Sequence, residues 1–113
     1  MSQAIFSHGN PVMCDYTPGG AVTAGHVVVI GVIPCVAHRA IAANEKAAVA
    51  VGGGVYKCTA DAALTAGAKV YWDDTNNKVT ATAGANKVFG AVAPGSSAAA
   101  DGDPIFVIHN PAY

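Results

Sequence analysis

Four histidines and three cysteines are the side chains of this 113-residue sequence best suited to hold a metal or attack a substrate. Their spacing opposes both uses. His8, His26, His38 and His109 include no HxH or HxxxH pair, and no cysteine stands beside them in a ligand pattern. A zinc or iron site would therefore have to be assembled by folding alone, and surface histidines are the simpler expectation. Cys14, Cys35 and Cys58 are odd in number and flanked by apolar or strand-forming residues. At most one disulfide can form within the chain, and buried free thiols are expected.

The remaining chemical signals are weaker. GxSxG is absent, Ser96 and Ser97 fall in a Gly/Ala-rich stretch, and most of the seven carboxylates lie in turn-like segments without an acid/base pair. Asp73, Asp74, Asn76 and Asn77 have the composition of a calcium loop but not its alternation or its terminal Glu. GGG at 52–54 and GAVAPG at 90–95 lack the Lys and Ser/Thr that follow a phosphate loop. No catalytic residue, cofactor or metal ligand is assigned, and a protein that is not an enzyme is expected.

The elements that would position such side chains are strands. Val occurs 15 times and Leu once, which favours pleated surfaces where β-branched side chains pack well. The 24 alanines are interleaved with Gly, Pro, Thr and Asn rather than set at helical spacing among charges. Strands are predicted at 4–6, 12–16, 27–30, 35–38, 55–58, 70–72, 79–82, 88–92 and 105–109, each bounded by turn residues. Residues 73–78 read as a hairpin loop, 7–11 and 94–103 as surface loops, and 59–66 as either a helical turn or a loop. The expected fold is all-β: a small single-domain β-barrel or sandwich of short strands spanning 1–113.

One phrase occurs twice. TAGHVVVIG begins at Thr23 and TAGAKVYWD at Thr65, with weaker cousins at 41–51 and 99–108. Each places a permissive residue, Gly25, Asn44, Gly67 or Gly102, directly ahead of a strand. The unequal spacings match no solenoid or propeller period, so the repetition reads as a turn device that builds a closed or nearly closed sheet.

Charged residues are only 12% of the chain, apolar residues reach 52%, and the net charge is −1. Part of the apolar surface is expected to meet another chain. The six basic residues are scattered singly, which disfavours a nucleic-acid partner. The longest apolar run, 27–33, is far shorter than the roughly 20 residues that span a bilayer, so no membrane association is expected. The opening MSQAIFSHGNP has neither the basic start nor the apolar run of a secretory signal, and cytoplasmic synthesis is expected.

MSQAIF, DYTPGGAVTAGHVVVIG, IAANEKAAVAVGGGVY and TAGAKVYWDDTNNKVT, in that order, resemble the capsid cement (head decoration) proteins of tailed phages and prophages. Nearly the whole chain is covered, and HGNPVMC and HNPAY depart from the pattern. Members are often labelled recombinase-like, but ATP-driven strand exchange needs the phosphate loop missing here. The resemblance implies a compact β fold on the outer capsid surface of the virion, bridging neighbouring copies of the major capsid protein.

Self-association is expected as well, a trimer before a dimer. Possible terminal arms at 1–6 and 109–113 carry the apolar groups that an isolated domain would let fray. The expected interface residues are Ile5, Phe6, Trp72, His109, Pro111 and Tyr113. The competing reading is a host-surface or carbohydrate-binding β module that stacks sugars on Tyr71 or Trp72.

Overall fold

Wherever a Val-, Ile- or aromatic-bearing run is bounded by Gly, Pro, Asn or Asp, a strand forms. The computed structural model describes residues 3–111 and contains ten strands and no helix among them. They are β1 (Ile5–His8), β2 (Val12–Tyr16), β3 (Val27–Ile30), β4 (Ile33–Val36) and β5 (Ala47–Gly52), followed by β6 (Val55–Thr59), β7 (Lys69–Asp73), β8 (Lys78–Thr80), β9 (Lys87–Val92) and β10 (Pro104–His109). Of the segment 59–66, Thr59 ends β6 and residues 60–66 form a loop rather than a helical turn.

The strands form two antiparallel sheets, one of six strands in the order β1-β6-β10-β9-β7-β8 and one of four in the order β2-β5-β4-β3. Neither sheet closes into a barrel, so the sandwich expectation holds and the barrel expectation is corrected; a single bridge, Ala60 with Val79, brings the end of β6 against β8. Edge strands remain at β1, β8, β2 and β3.

The repeated phrase marks a repeated unit. At residues 23–26 and 65–68 a turn is closed by a hydrogen bond from the fourth residue to the first, with the third residue, Gly25 or Gly67, at φ 80. That left-handed position is the one a type II turn reserves for Gly or Asn. Residues 42–45 and 100–103 repeat the turn with Asn44 at φ 63 and Gly102 at φ 91.

Each third residue also donates to a distant carbonyl. Gly25 donates to Ala37 and Gly67 to Val92, while Asn44 donates to Pro18 and Gly102 to Ala60. Isolated bridges then join the turns in pairs, Val22 to Ile41 and Leu64 to Ala98. These matches make β2-β5-β4-β3 and β6-β10-β9-β7 the same four-strand unit in the same order. The second unit carries two additions, β8 outside β7 and β1 outside β6. The β8 hairpin lengthens the second unit between its two turns, which is why no fixed period shows in the sequence.

The main core lies between the sheets. Tyr56, Val70, Trp72, Val79, Phe89, Val92, Ile105 and Val107 from the larger sheet meet Val27, Val36 and Ala50 from the smaller one. A second cluster, Cys35, Ala37, Ile41, Ala47 and Val49, lies on the far side of the smaller sheet beneath its own turns. Burying a large apolar side chain contributes about 1.5–3 kcal/mol, so the core is carried by the aromatic and β-branched residues of the larger sheet.

Candidate functional site

Strand alternation divides the larger sheet into an inner and an outer face. Along β10, Ile105, Val107 and His109 are buried, whereas Phe106 and Ile108 point outward. Register then assembles the outer face. Phe106 lies opposite Lys57, which lies opposite Ile5, and Ile108 lies between Val55 and Ala91. Ile5 is 52% exposed and Phe106 40%. Two shallow depressions, one lined by Val55, Phe106 and Ser96 and the other by Gly67, Lys69 and Ala91, meet at Pro94 and Ile108.

A solvated face of an antiparallel sheet ordinarily alternates to polar residues. This one is mainly apolar. Its charges are Lys57 and Lys69, with Asp73 and its register partner Lys78 at the β7–β8 end, and Lys69 Nζ lies 5.7 Å from the centre of the Tyr71 ring. The three ion pairs among the described residues, Arg39 with Glu45, Lys46 with Asp15 and Lys78 with Asp101, involve neither Lys57 nor Lys69. A mainly apolar face with sparse charge is chemistry for contact with another surface.

A ladder of rings runs from the edge of this sheet into the core. Phe6 packs against His38 and Tyr56, Tyr56 against His109, His109 against Phe89, and Phe89 against Trp72, with centroids 4.7–5.7 Å apart along that path. His38 Nε2 and Tyr56 Oη are 2.5 Å apart. Burial raises the pKa of the phenol, with the Cys58 thiol adding to the effect, and burial lowers that of His38. Both shifts favour a neutral phenol and a neutral imidazole, which share this hydrogen bond. His109 Nε2 donates to the Pro34 carbonyl at 2.7 Å, leaving Nδ1 buried without a partner. Burial is the main cause holding the His109 pKa below its ordinary value; nearby His38 adds to this and the Pro34 bond opposes it.

The expected interface residues divide. Ile5 and Phe6 are exposed on β1, and Pro111 is half-buried beside Ile33, Val51 and Gly52. Trp72 and His109 are corrected: both are core residues, 1% and 0% exposed, because the alternation of β7 and β10 turns them inward. The Trp stacking platform goes with them, since Trp72 Nε1 donates to Asp74 and its ring lies against Phe89. Tyr113 lies outside the described residues.

The arms are also corrected as far as they are described. Gln3 and Ala4 donate to the Gly25 carbonyl, Gln3 Oε1 accepts from Val27, and Ala4 is 1% exposed. At the other end, Asn110 donates to Phe89. Residues 3–6 and 109–111 thus belong to the body of the domain.

His109 corrects the expectation of surface histidines, and the exposed Cys14 that of buried thiols; all three cysteines are free. No group of three metal-binding side chains occurs among the described residues. The Asp73 carboxylate is occupied by Thr75 N, Asn76 N and Asn76 Nδ2 in the β7–β8 hairpin. No helix of the described residues is long and apolar enough to cross a membrane.

Sequence reasoning missed Phe106, Ile108 and Val55. The available signal was PIFVIH, where both alternating sets are apolar, as in a strand covered on both sides.

No curated protein and no solved structure matches the chain. The family described as phage cement protein matches residues 6–108. Its span includes both four-strand units and most of the outer face built above. The chain belongs to the phage cement proteins and is a structural component of the phage capsid.

Proposed function

We propose that this protein decorates the outer surface of an assembled capsid and bridges neighbouring major capsid protein subunits as a homo-oligomer, a trimer before a dimer. The family match over residues 6–108 carries this reading. The apolar outer face of the larger sheet supports it, because a cement must spend exposed apolar area on its neighbours rather than on its own core. Several modest contacts engaged at once then hold a shell that a single contact would not. Interface contributions are assigned to Ile5 and Phe6 at the β1 edge and to Pro111 at the chain's end. Synthesis in the host cytoplasm, without membrane or direct nucleic-acid contact, fits the scattered basic residues.

The test is particle composition and stability. Virions purified from infected cells contain the protein at near-stoichiometric copy number, and particles lacking it release their genome at a lower temperature. Absence from purified particles, or an unchanged release temperature, overturns the reading.

A further inference from the structure

The two units of this chain are stacked in the same sense. Val27, Val29, Val36 and Ala50 of the first unit point into the main core, against the second unit. Their counterparts by turn and pairing are Lys69, Tyr71, Ala91 and Ile108: Val27 pairs with Val36 as Lys69 pairs with Ala91, and Val36 pairs with Ala50 as Ala91 pairs with Ile108. Those four counterparts are exposed or half-buried on the outer face of the larger sheet.

The opposite faces match as well. Ala47 and Val49 back onto the small second cluster, and their counterparts Ile105 and Val107 fill the main core. The main core is therefore the outer-type face of one unit seated on the inner-type face of its sister. One face of each type is left without a covering sheet. They are the outer face of the second unit and the far side of the first, where Cys35, Ala47 and Val49 are already buried beneath the turns and the part-buried Tyr16, Val22, Ile33 and Val51 at the border remain for contact.

We propose that a second copy of this chain covers the outer face of the larger sheet with the far side of its first unit, repeating between chains the stack made within one. This rests on the self-association reading above. A second copy is favoured over other occupants because it carries the counterpart, by strand order, of the face that covers Val27, Val36 and Ala50 of the first unit inside the chain. The far side also offers a seat, a depression lined by Ile33, Val51, Gly52 and Pro111, of a kind that accepts a protruding apolar side chain such as Phe106. The contact uses two different faces, so it is heterologous, and a heterologous contact whose rotation closes produces a ring.

The test uses the full chain and two variants. Phe106→Asp spoils the outer face at an exposed position. Gly52→Glu fills the seat, since a Cβ there meets only the Pro111 Cδ at an ordinary 3.8 Å. Phe106→Ser repeats the first arm if the aspartate disturbs folding, and the melting transition of each variant reports its fold. Sedimentation is expected to show a small closed oligomer for the natural chain. Each variant is expected to be monomeric, with association weakened roughly tenfold or more. An equimolar mixture of the two variants is expected to form a heterodimer, because one intact face and one intact seat remain between them.

A natural chain that stays monomeric at high concentration, or a variant mixture that does not pair, overturns the proposal. A Phe106→Asp chain that keeps the natural mass but no longer binds particles also overturns it, by giving the face to a capsid subunit while leaving the cement reading intact.

Discussion

His109 and Pro34 join the two sheets: the imidazole Nε2 of the last residue of β10 donates a 2.7 Å hydrogen bond to a carbonyl of β4. The acceptor belongs to a proline in an interior strand, where the ladder from β4 to β5 contains a single pair, Val36 with Ala50. Proline contributes no N–H to a ladder, and here its carbonyl is held by a side chain from the opposite sheet.

Burial of this imidazole makes stability depend on pH. Burial lowers the folded pKa of His109 below 6.5, and that of His38 moves in the same direction. Both are neutral in the fold, so the unfolded chain takes up protons first as pH falls. Stability is fully present above the unfolded pKa of 6.5 and declines as pH drops below it toward the lowered folded values. Denaturant midpoints are expected to fall between about pH 7 and pH 5. His109→Gln is expected to lose about 2–4 kcal/mol of stability and to flatten this dependence. A midpoint of the natural chain that does not move over that range contradicts the assignment.

Gly90 admits no side chain. A Cβ at this position in β9 would overlap the Ile108 carbonyl oxygen on β10, which is backbone and cannot swing aside. Gly90→Ala is expected to cost at least about 3 kcal/mol, whereas Gly95→Ala, in open space, is expected to change stability by under about 0.5 kcal/mol. Urea titrations of the two variants check the contrast.

Gly25 and Gly67 share one geometry and should share one penalty. Both sit at φ 80, and the space around Gly67 is open, so strain there arises from the backbone alone. Gly67→Val and Gly25→Val are each expected to destabilise by about 1–3 kcal/mol. Unchanged melting temperatures would contradict the turn assignment.

The thiols should separate by reactivity. Burial pushes the Cys35 thiol up to about 11, with nearby Cys14 adding to it, and burial pushes the Cys58 thiol up to about 12. Cys14 is exposed on β2. A thiol reagent is expected to modify Cys14 alone in the native protein and all three cysteines after unfolding, as read by peptide mass. Rapid native modification of Cys58 would contradict the core placement.

Removal of residues 2–6 is expected to lower stability rather than merely trim an arm. It takes away the buried Ala4, the Gln3 bond to Val27 and the β1 partner of β6. A truncated chain with an unchanged melting temperature would restore the arm reading.

Most of the architecture was legible in local residue choice. Valine-rich runs between Gly, Pro, Asn and Asp named nearly every strand, and the positive φ at Gly25, Asn44, Gly67 and Gly102 follows from residue types that tolerate it. The absence of phosphate-loop and ligand spacing was equally local, and the ordered phrases that resemble the cement family led to the family that matches residues 6–108. These features are written in neighbouring residues, so a linear reading reaches them.

What only the tertiary structure decided was which side of each strand meets which neighbour. PIFVIH is apolar at every position but its ends, so alternation alone does not say that His109 turns inward and Phe106 outward; the partners on β9 and β6 set that register. Trp72 and His109 passed for surface residues because burial is a property of the sheet opposite rather than of the strand that carries them. The duplicated unit stayed hidden for the same reason: an inserted hairpin changes spacing along the chain but leaves the hydrogen-bonded order of the four shared strands unchanged. Val27 and Lys69 hold equivalent places in the two units, and the sister sheet lies over only one of them.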